Sequence, residues 1–198
     1  NHMTHFANAD YIDREPSVGA QMECFTSTID GLTGETSLAN SAAVLWHRNA
    51  LGDWVRPGIM LHGISPSGQF ADIAHANLQA VMTLSSSIIA IQDLEPGDAV
   101  GYGSRYRATQ PMRIGVIACG YADGYPRHIS PETHILIRGQ QAKICGVVSM
   151  DQLQVDVTDI ADATEGDWVT LIGSEGNTTI TVAMLAAWAD VPVQWPTT

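Results

Sequence analysis

The apolar pattern of this chain changes character once, near "ISPSGQFADIA" at residues 64–74. Upstream, strand-like and helix-like pieces alternate. "MTHFANAD" is a short apolar run ending in turn formers, and "SVGAQMECFTSTIDGL" repeats Val18, Met22, Phe25 and Ile29 at helical spacing behind Ser17 as N-cap. "TSLANS" reads as a strand running into a helix, "SAAVLWHRNAL", and "DWVRPGIMLHG" as the next strand. Such alternation predicts parallel pairing and the α/β class. Downstream, "AVMTLSSSIIAIQDL", "DAVGYGSRY", "MRIGVIACGYA", "THILIRG", "AKICGVVSM", "LQVDV" and "DWVTLIG" are strands separated by Gly, Pro and Asp turns, with "TVAMLAAWAD" a short late helix. A small barrel or sandwich is expected there. The sequence thus predicts an α/β part over residues 1–72 and a mainly-β part over 73–198. Three parallel strands leave an open edge that isolated domains avoid, so the first part reads as a piece of a larger layered structure.

A chain of 198 residues has room for a buried core in one domain or two small ones. Nine Lys and Arg stand against 21 Asp and Glu, and the formal charge of −12 repels phosphate backbones and anionic headgroups. Nucleic acid and membrane are therefore not expected as partners. No apolar run approaches the roughly 20 residues that span a bilayer, and no basic leader is present, so a cytoplasmic protein is expected. Cys24, Cys119 and Cys145 are odd in number and widely spaced, which suits buried free thiols in a reducing compartment. The opening "NHM" looks like a cloning remnant, with the natural protein cut at that point.

Four places concentrate chemistry. Asn40 and Ser41 stand where a strand gives way to a helix, and Gly58 and Ile59 end another strand; free N–H groups at such points bind anions, phosphates above all, although ordinary capping explains Ser41 equally well. Arg56, in a strand expected to be buried, demands a partner, and a structural salt bridge is the plain account. "CGYADGYPR" gathers Gly120, Tyr121, Asp123, Gly124, Tyr125 and Arg127; a hairpin explains Asp-Gly but not the tyrosines and arginine. Met150 and Asp151 end an apolar strand, where the aspartate alone reads as an Asx-turn residue. A fifth feature is Tyr102 in "VGYGSRY", whose glycine flanks strip neighbouring side chains away, as in an exposed turn or bulge. The aspartates lack calcium-loop spacing and the histidines lack zinc spacing, so no metal is expected.

Taken in order and spacing, "MTHFANAD", "LANSAA", "DWVRPGI", "VGYGSRY", "GYADGYPR" and "VSMDQ" resemble the second half of bacterial alanine racemase. The resemblance implies the last part of a (β/α)8 barrel that carries pyridoxal phosphate, followed by a C-terminal β-barrel-like domain. It also implies a homodimer in which each active site borrows residues from the other subunit's β domain. On that pattern Asn40, Ser41, Gly58 and Ile59 belong to the phosphate cradle, and Arg56 faces the pyridine nitrogen. His5 lies against the cofactor ring and links that arginine to the catalytic tyrosine, Tyr102, which exchanges a proton with the substrate α-carbon. Tyr121 is a gate tyrosine, Met150 offers its backbone N–H to the substrate carboxylate, and Asp151 is its neighbour at the channel mouth.

The chemistry implied is interconversion of L- and D-alanine, supplying D-alanine for cell-wall peptidoglycan. Inverting a stereocentre needs one base on each face, and a phenol is a poor base at neutral pH. A cationic network of Arg56 and His5 would stabilise its phenolate. The cofactor lysine belongs to the first barrel strand, and the only lysine here, Lys143, lies in the β part, where a solvated role is expected. The chain is thus expected to be inactive without an N-terminal half. Val147 stands where the family carries arginine, and Val193 or Gln194 where it carries a phosphate-binding tyrosine. Two other readings are a non-catalytic dimerisation or binding module derived from the racemase, and a relative in the same fold group, of which a decarboxylase is not expected to show "GYADGYPR" with "SMDQ" while a racemase of broader specificity stays open.

Overall fold

The computed structural model describes residues 1–11 and 13–193. They form two compact units, Asn1–Val81 and a second from Met82 onward. In the first, β1 (His2–Met3) pairs in parallel with β2 (Thr36–Ser37), through His2 with Thr36 and Met3 with Ser37. Between them α1 (Val18–Thr28) starts at Ser17, whose hydroxyl accepts the Ala20 N–H, as the sequence predicts. Helix α2 (Ser41–Trp46) follows β2 and is shorter than expected, giving way after His47 to a single tight turn at Arg48–Ala50. Phe6, Val18, Leu38, Ala42 and Ala43 are buried together, with Met22 and Phe25 packed against them.

The third expected strand, "DWVRPGIMLHG", is reduced to one parallel bridge between Ser37 and Trp54. The Arg56 N–H still reaches the Ala39 carbonyl at 2.8 Å, but Pro57 has no N–H to continue a ladder. Beyond Gly58 the chain coils into a short 3-10 turn over Ile59–His62. The border between units also falls later than residue 72. Ile73 is fully buried in a 3-10 segment, Phe70–Ala76, and the Val81 N–H returns to the His62 carbonyl at 3.4 Å, so residues 73–81 pack with the first unit.

The second unit is mainly β. Strands β3 (Leu84–Leu94), β6 (Met112–Ile117), β7 (His134–Ile137), β8 (Gln140–Lys143), β9 (Leu153–Asp156) and β10 (Trp168–Glu175) form an antiparallel sheet in the order β8-β7-β10-β3-β6-β9. Strand β11 (Thr178–Ile180), absent from the sequence reading, pairs with β10. The outer strands meet: Ile144 bridges Val155, and the Cys145 N–H donates to the Gln154 carbonyl at 2.7 Å. Closure of this kind hides the edges that a flat sheet would expose. Ile117, Ile135, Leu153, Leu171 and Ile180 fill the interior, and α3 (Val182–Ala189), capped by Thr181, adds Leu185. The short strands β4 (Ala99–Val100) and β5 (Tyr106–Arg107) pair as a separate arm that carries Tyr102 between them.

Candidate functional site

In the first unit the strand ends gather the polar groups singled out in the sequence. Asn40 is the N-cap of α2, its side chain accepting the Ala43 N–H at 3.0 Å. Ser41 is therefore not the cap. Its buried hydroxyl instead accepts the N–H of Gly58 at 2.9 Å and of Met60 at 3.3 Å, tying the helix start to the turn that follows Gly58. Among the described residues the Ile59 N–H has no acceptor.

Arg56 has no carboxylate partner among the described residues, so the structural salt bridge expected of it is not formed. Half-buried, it donates to the Ser37 hydroxyl and to the Thr4 carbonyl at 2.8 Å, and one guanidinium nitrogen lies 3.4 Å from His5 Nδ1. The partners are a hydroxyl, a carbonyl and an imidazole nitrogen, none of them a carboxylate, so the guanidinium is held in place without its charge being cancelled. Ser37 and the Thr4 carbonyl escaped the sequence reading, because pairs 19 and 52 residues apart leave no local signal.

In the second unit Tyr102 is 74% exposed, on a tight turn between Gly101 (φ 70°) and Gly103 (φ 74°). Both glycines take left-handed backbone, which a side chain disfavours, so the turn that projects the phenol needs them. Among the described residues the phenol has no hydrogen-bond partner. It lines a cleft of about 790 Å³ together with Tyr106, Cys145 and Val147. Burial pushes the Tyr106 phenol up to about 12 and the Cys145 thiol up to about 11, so both stay protonated at neutral pH.

"CGYADGYPR" is not a hairpin. Tyr121–Asp123 is a 3-10 turn, with the Asp123 carboxylate accepting the Gly120 N–H at 2.9 Å and Gly124 closing it at φ 91°. The turn is joined to the "VSMD" segment: the Tyr121 N–H donates to the Ser149 carbonyl at 3.0 Å and the Ala122 N–H to the Met150 carbonyl at 2.9 Å. Tyr121 and Met150 are thereby brought together, both exposed. Asp151 is exposed, and its carboxylate accepts no hydrogen bond among the described residues, so the Asx turn is not formed. The Arg127 guanidinium lies over the Tyr121 ring, 5.2 Å from its centre, and also lines the cleft with Tyr102. Arg105, which belongs to "VGYGSRY" but carries no role in the sequence reading, lines it too.

Lys143 pairs with Glu132 at 3.3 Å on the surface of the β unit, both side chains exposed. Cys119 and Cys145 are buried, but Cys24 is exposed on α1, where its helical position points it away from the core. Val193 is buried, whereas Gln194 lies outside the described residues.

The donor set of the first unit suits a phosphate-bearing group. The Ser41 hydroxyl and the uncommitted Ile59 N–H meet at one strand end, and a Cβ added at Gly58 would touch nothing within 4 Å, so the backbone there stands open to a ligand. No described group of three or more His, Cys, Asp or Glu side chains is arranged to hold a metal ion.

Set beside known proteins, this fold falls in one class, that of solved alanine racemases. The solved structure of a biosynthetic alanine racemase from Pseudomonas aeruginosa superposes with a TM-score of 0.83 at 39% identity, covering 98% of this chain and 52% of that one. That of the alanine racemase from Bartonella henselae, with covalently bound pyridoxal phosphate, gives 0.82 at 29% identity, covering 98% and 53%. The chain belongs to the alanine racemase family: residues 1–66 match the family model for the alanine racemase N-terminal domain and residues 81–194 that for the C-terminal domain. The alanine racemase of Cupriavidus necator is 53% identical over 176 residues, 87% of this chain and 46% of that protein. The chain spans about half the length of the curated relatives it matches.

Proposed function

We propose that this chain supplies the second half of a pyridoxal-phosphate-dependent alanine racemase, contributing the end of the cofactor-binding barrel and the β domain that completes a neighbouring active site. The observation that carries this reading is the Tyr102 phenol, exposed and unpartnered on a turn that two left-handed glycines hold in shape. Such display costs backbone freedom and gains nothing in packing, which suits a group that acts on something outside its own unit.

In this reading the Ser41 hydroxyl and the Ile59 N–H would hold the cofactor phosphate where the backbone at Gly58 stands open, with Asn40 fixing the start of α2 beside them. Arg56 would face the ring nitrogen of the bound group and discourage its protonation, and His5 would lie beside the ring. When bound, the cofactor acts as an electron sink that makes the substrate α-hydrogen acidic. Tyr102 of one copy takes or returns that proton on the L-alanine side, and the positive charge of Arg56 and His5 stabilises its phenolate. Tyr121 narrows access, the Met150 backbone N–H holds the substrate carboxylate, and Asp151 stands at the channel mouth. Two copies are needed, and the product serves cell-wall synthesis in the cytoplasm.

The only lysine in the sequence is Lys143, paired with Glu132. It is not placed as the cofactor lysine, so the chain alone is inactive and a lysine-bearing half must be provided. Mixing the chain with a separately expressed N-terminal half of a related racemase and pyridoxal phosphate should convert L- to D-alanine, while the chain alone should give none. Racemisation by the chain alone, or no association of the halves, defeats the proposal, and association without racemisation favours a non-catalytic binding module derived from the racemase.

A further inference from the structure

Two arginines without partners line one cleft of the β unit. Among the described residues neither Arg105 nor Arg127 donates a hydrogen bond or meets a carboxylate, whereas Arg113, Arg138 and Lys143 are ion-paired and Arg107 donates to the Gly97 carbonyl at 2.8 Å. The acids of the same cleft are already engaged. Glu132 is held by Lys143 at 3.3 Å, and one oxygen of Asp156 accepts both the N–H and the hydroxyl of Thr158. The two guanidinium groups are therefore surplus positive charge lining one cleft of a chain whose formal charge is −12.

Geometry leaves them able to bind. The Arg127 guanidinium lies 5.2 Å from the centre of the Tyr121 ring, a contact that engages none of its N–H donors in a hydrogen bond to a described residue. The remaining walls are apolar or phenolic, from Ile129, Ile144, Val147 and Tyr106, and such surroundings strengthen a charge-assisted hydrogen bond relative to open water. A guanidinium pair in a partly apolar cleft recognises a planar anion better than a metal, a cation or a neutral ligand.

We propose that Arg105 and Arg127 form a carboxylate-binding site in this cleft, which takes a small amino acid by its carboxylate; that choice of ligand rests on the racemase reading. Nitrogen-15 labelling of arginine in the 198-residue chain, at low ionic strength, lets the side-chain Nε–H signals of both residues be followed as acetate, L-alanine or inorganic phosphate is added. Acetate and L-alanine should each give saturable shifts at both arginines. Arg105→Gln and Arg127→Gln should each weaken binding by about tenfold, the scale of one charge-assisted hydrogen bond. Arg105→Lys and Arg127→Lys should lose less. Backbone spectra of the variants should stay unchanged, since both side chains are exposed. The proposal is overturned if neither carboxylate saturates, if the Gln variants bind as the parent does, or if phosphate binds about tenfold tighter than acetate, which would make it a phosphate site. None of these results depends on racemisation. A chain that binds carboxylate but fails the mixing assay keeps the site and loses the racemase reading.

Discussion

Tyr102 is positioned by backbone alone, and other residues show the opposite arrangement, in which partners decide behaviour. Asp167 receives two parallel bonds from Arg138, at 2.8 and 2.9 Å, and the Thr164 N–H at 2.9 Å. These hold its carboxyl down to about 2, the Arg138 hydrogen bond contributing most. A lowered folded value stabilises the fold above the ordinary carboxylate range, and that contribution is lost as pH falls from about 4 through about 2. Asp167→Asn should therefore flatten the fall of thermal midpoint in that window, and an unchanged acid limb would contradict the assignment. Cysteine reactivity separates in the same way. Burial holds the Cys119 and Cys145 thiols up at about 11, while Cys24 is exposed, so a thiol reagent at pH 8 should label one site quickly and two only on unfolding. Two fast sites would show the β unit to be open.

At the scale of elements, the joint between the "GYADGYPR" turn and the "VSMD" segment depends on close backbone approach. A Cβ at Gly120 would lie 2.2 Å from the Met150 carbonyl oxygen and 2.4 Å from that of Ser149. Gly120→Ala should cost about 2 kcal/mol or more by denaturant unfolding and separate Tyr121 from Met150, whereas a cost under about 0.5 kcal/mol would mean the contact yields easily. What the sequence showed of these elements follows from range. Helix α1 with its Ser17 cap, the β-rich second part and the exposed turn at Tyr102 are written in local spacing and composition. The third strand of the first unit was misjudged because its apolar residues look strand-like while Pro57 forbids a ladder. The Asp-Gly pair suggested a hairpin, yet Asp123 bends back to cap its own turn. Contacts between distant segments, such as Ser37 or the Thr4 carbonyl with Arg56, have no signature in spacing. The candidate site was legible mainly because six short motifs fall in one order; its supporting partners were not.

For the whole molecule, the two units differ in how complete they are. The β unit closes its sheet through Ile144 and Val155, whereas among the described residues the first unit has two paired strands and a bridge, with Trp54 59% and Leu61 65% exposed. The open ladder and exposed apolar side chains suit a surface that a lysine-bearing half covers, and the displayed phenol suits a task outside its own unit. Both features follow from one account, in which catalysis is assembled from pieces that no single copy of this chain contains. The most direct test follows solvent deuterium entering the α-position of each alanine enantiomer in the reconstituted enzyme, with and without Tyr102→Phe. Exchange into L-alanine should fall by about a hundredfold or more, and exchange into D-alanine should survive far better. Equal loss for both enantiomers, or no loss for either, would contradict the role assigned to Tyr102 and the account built on it.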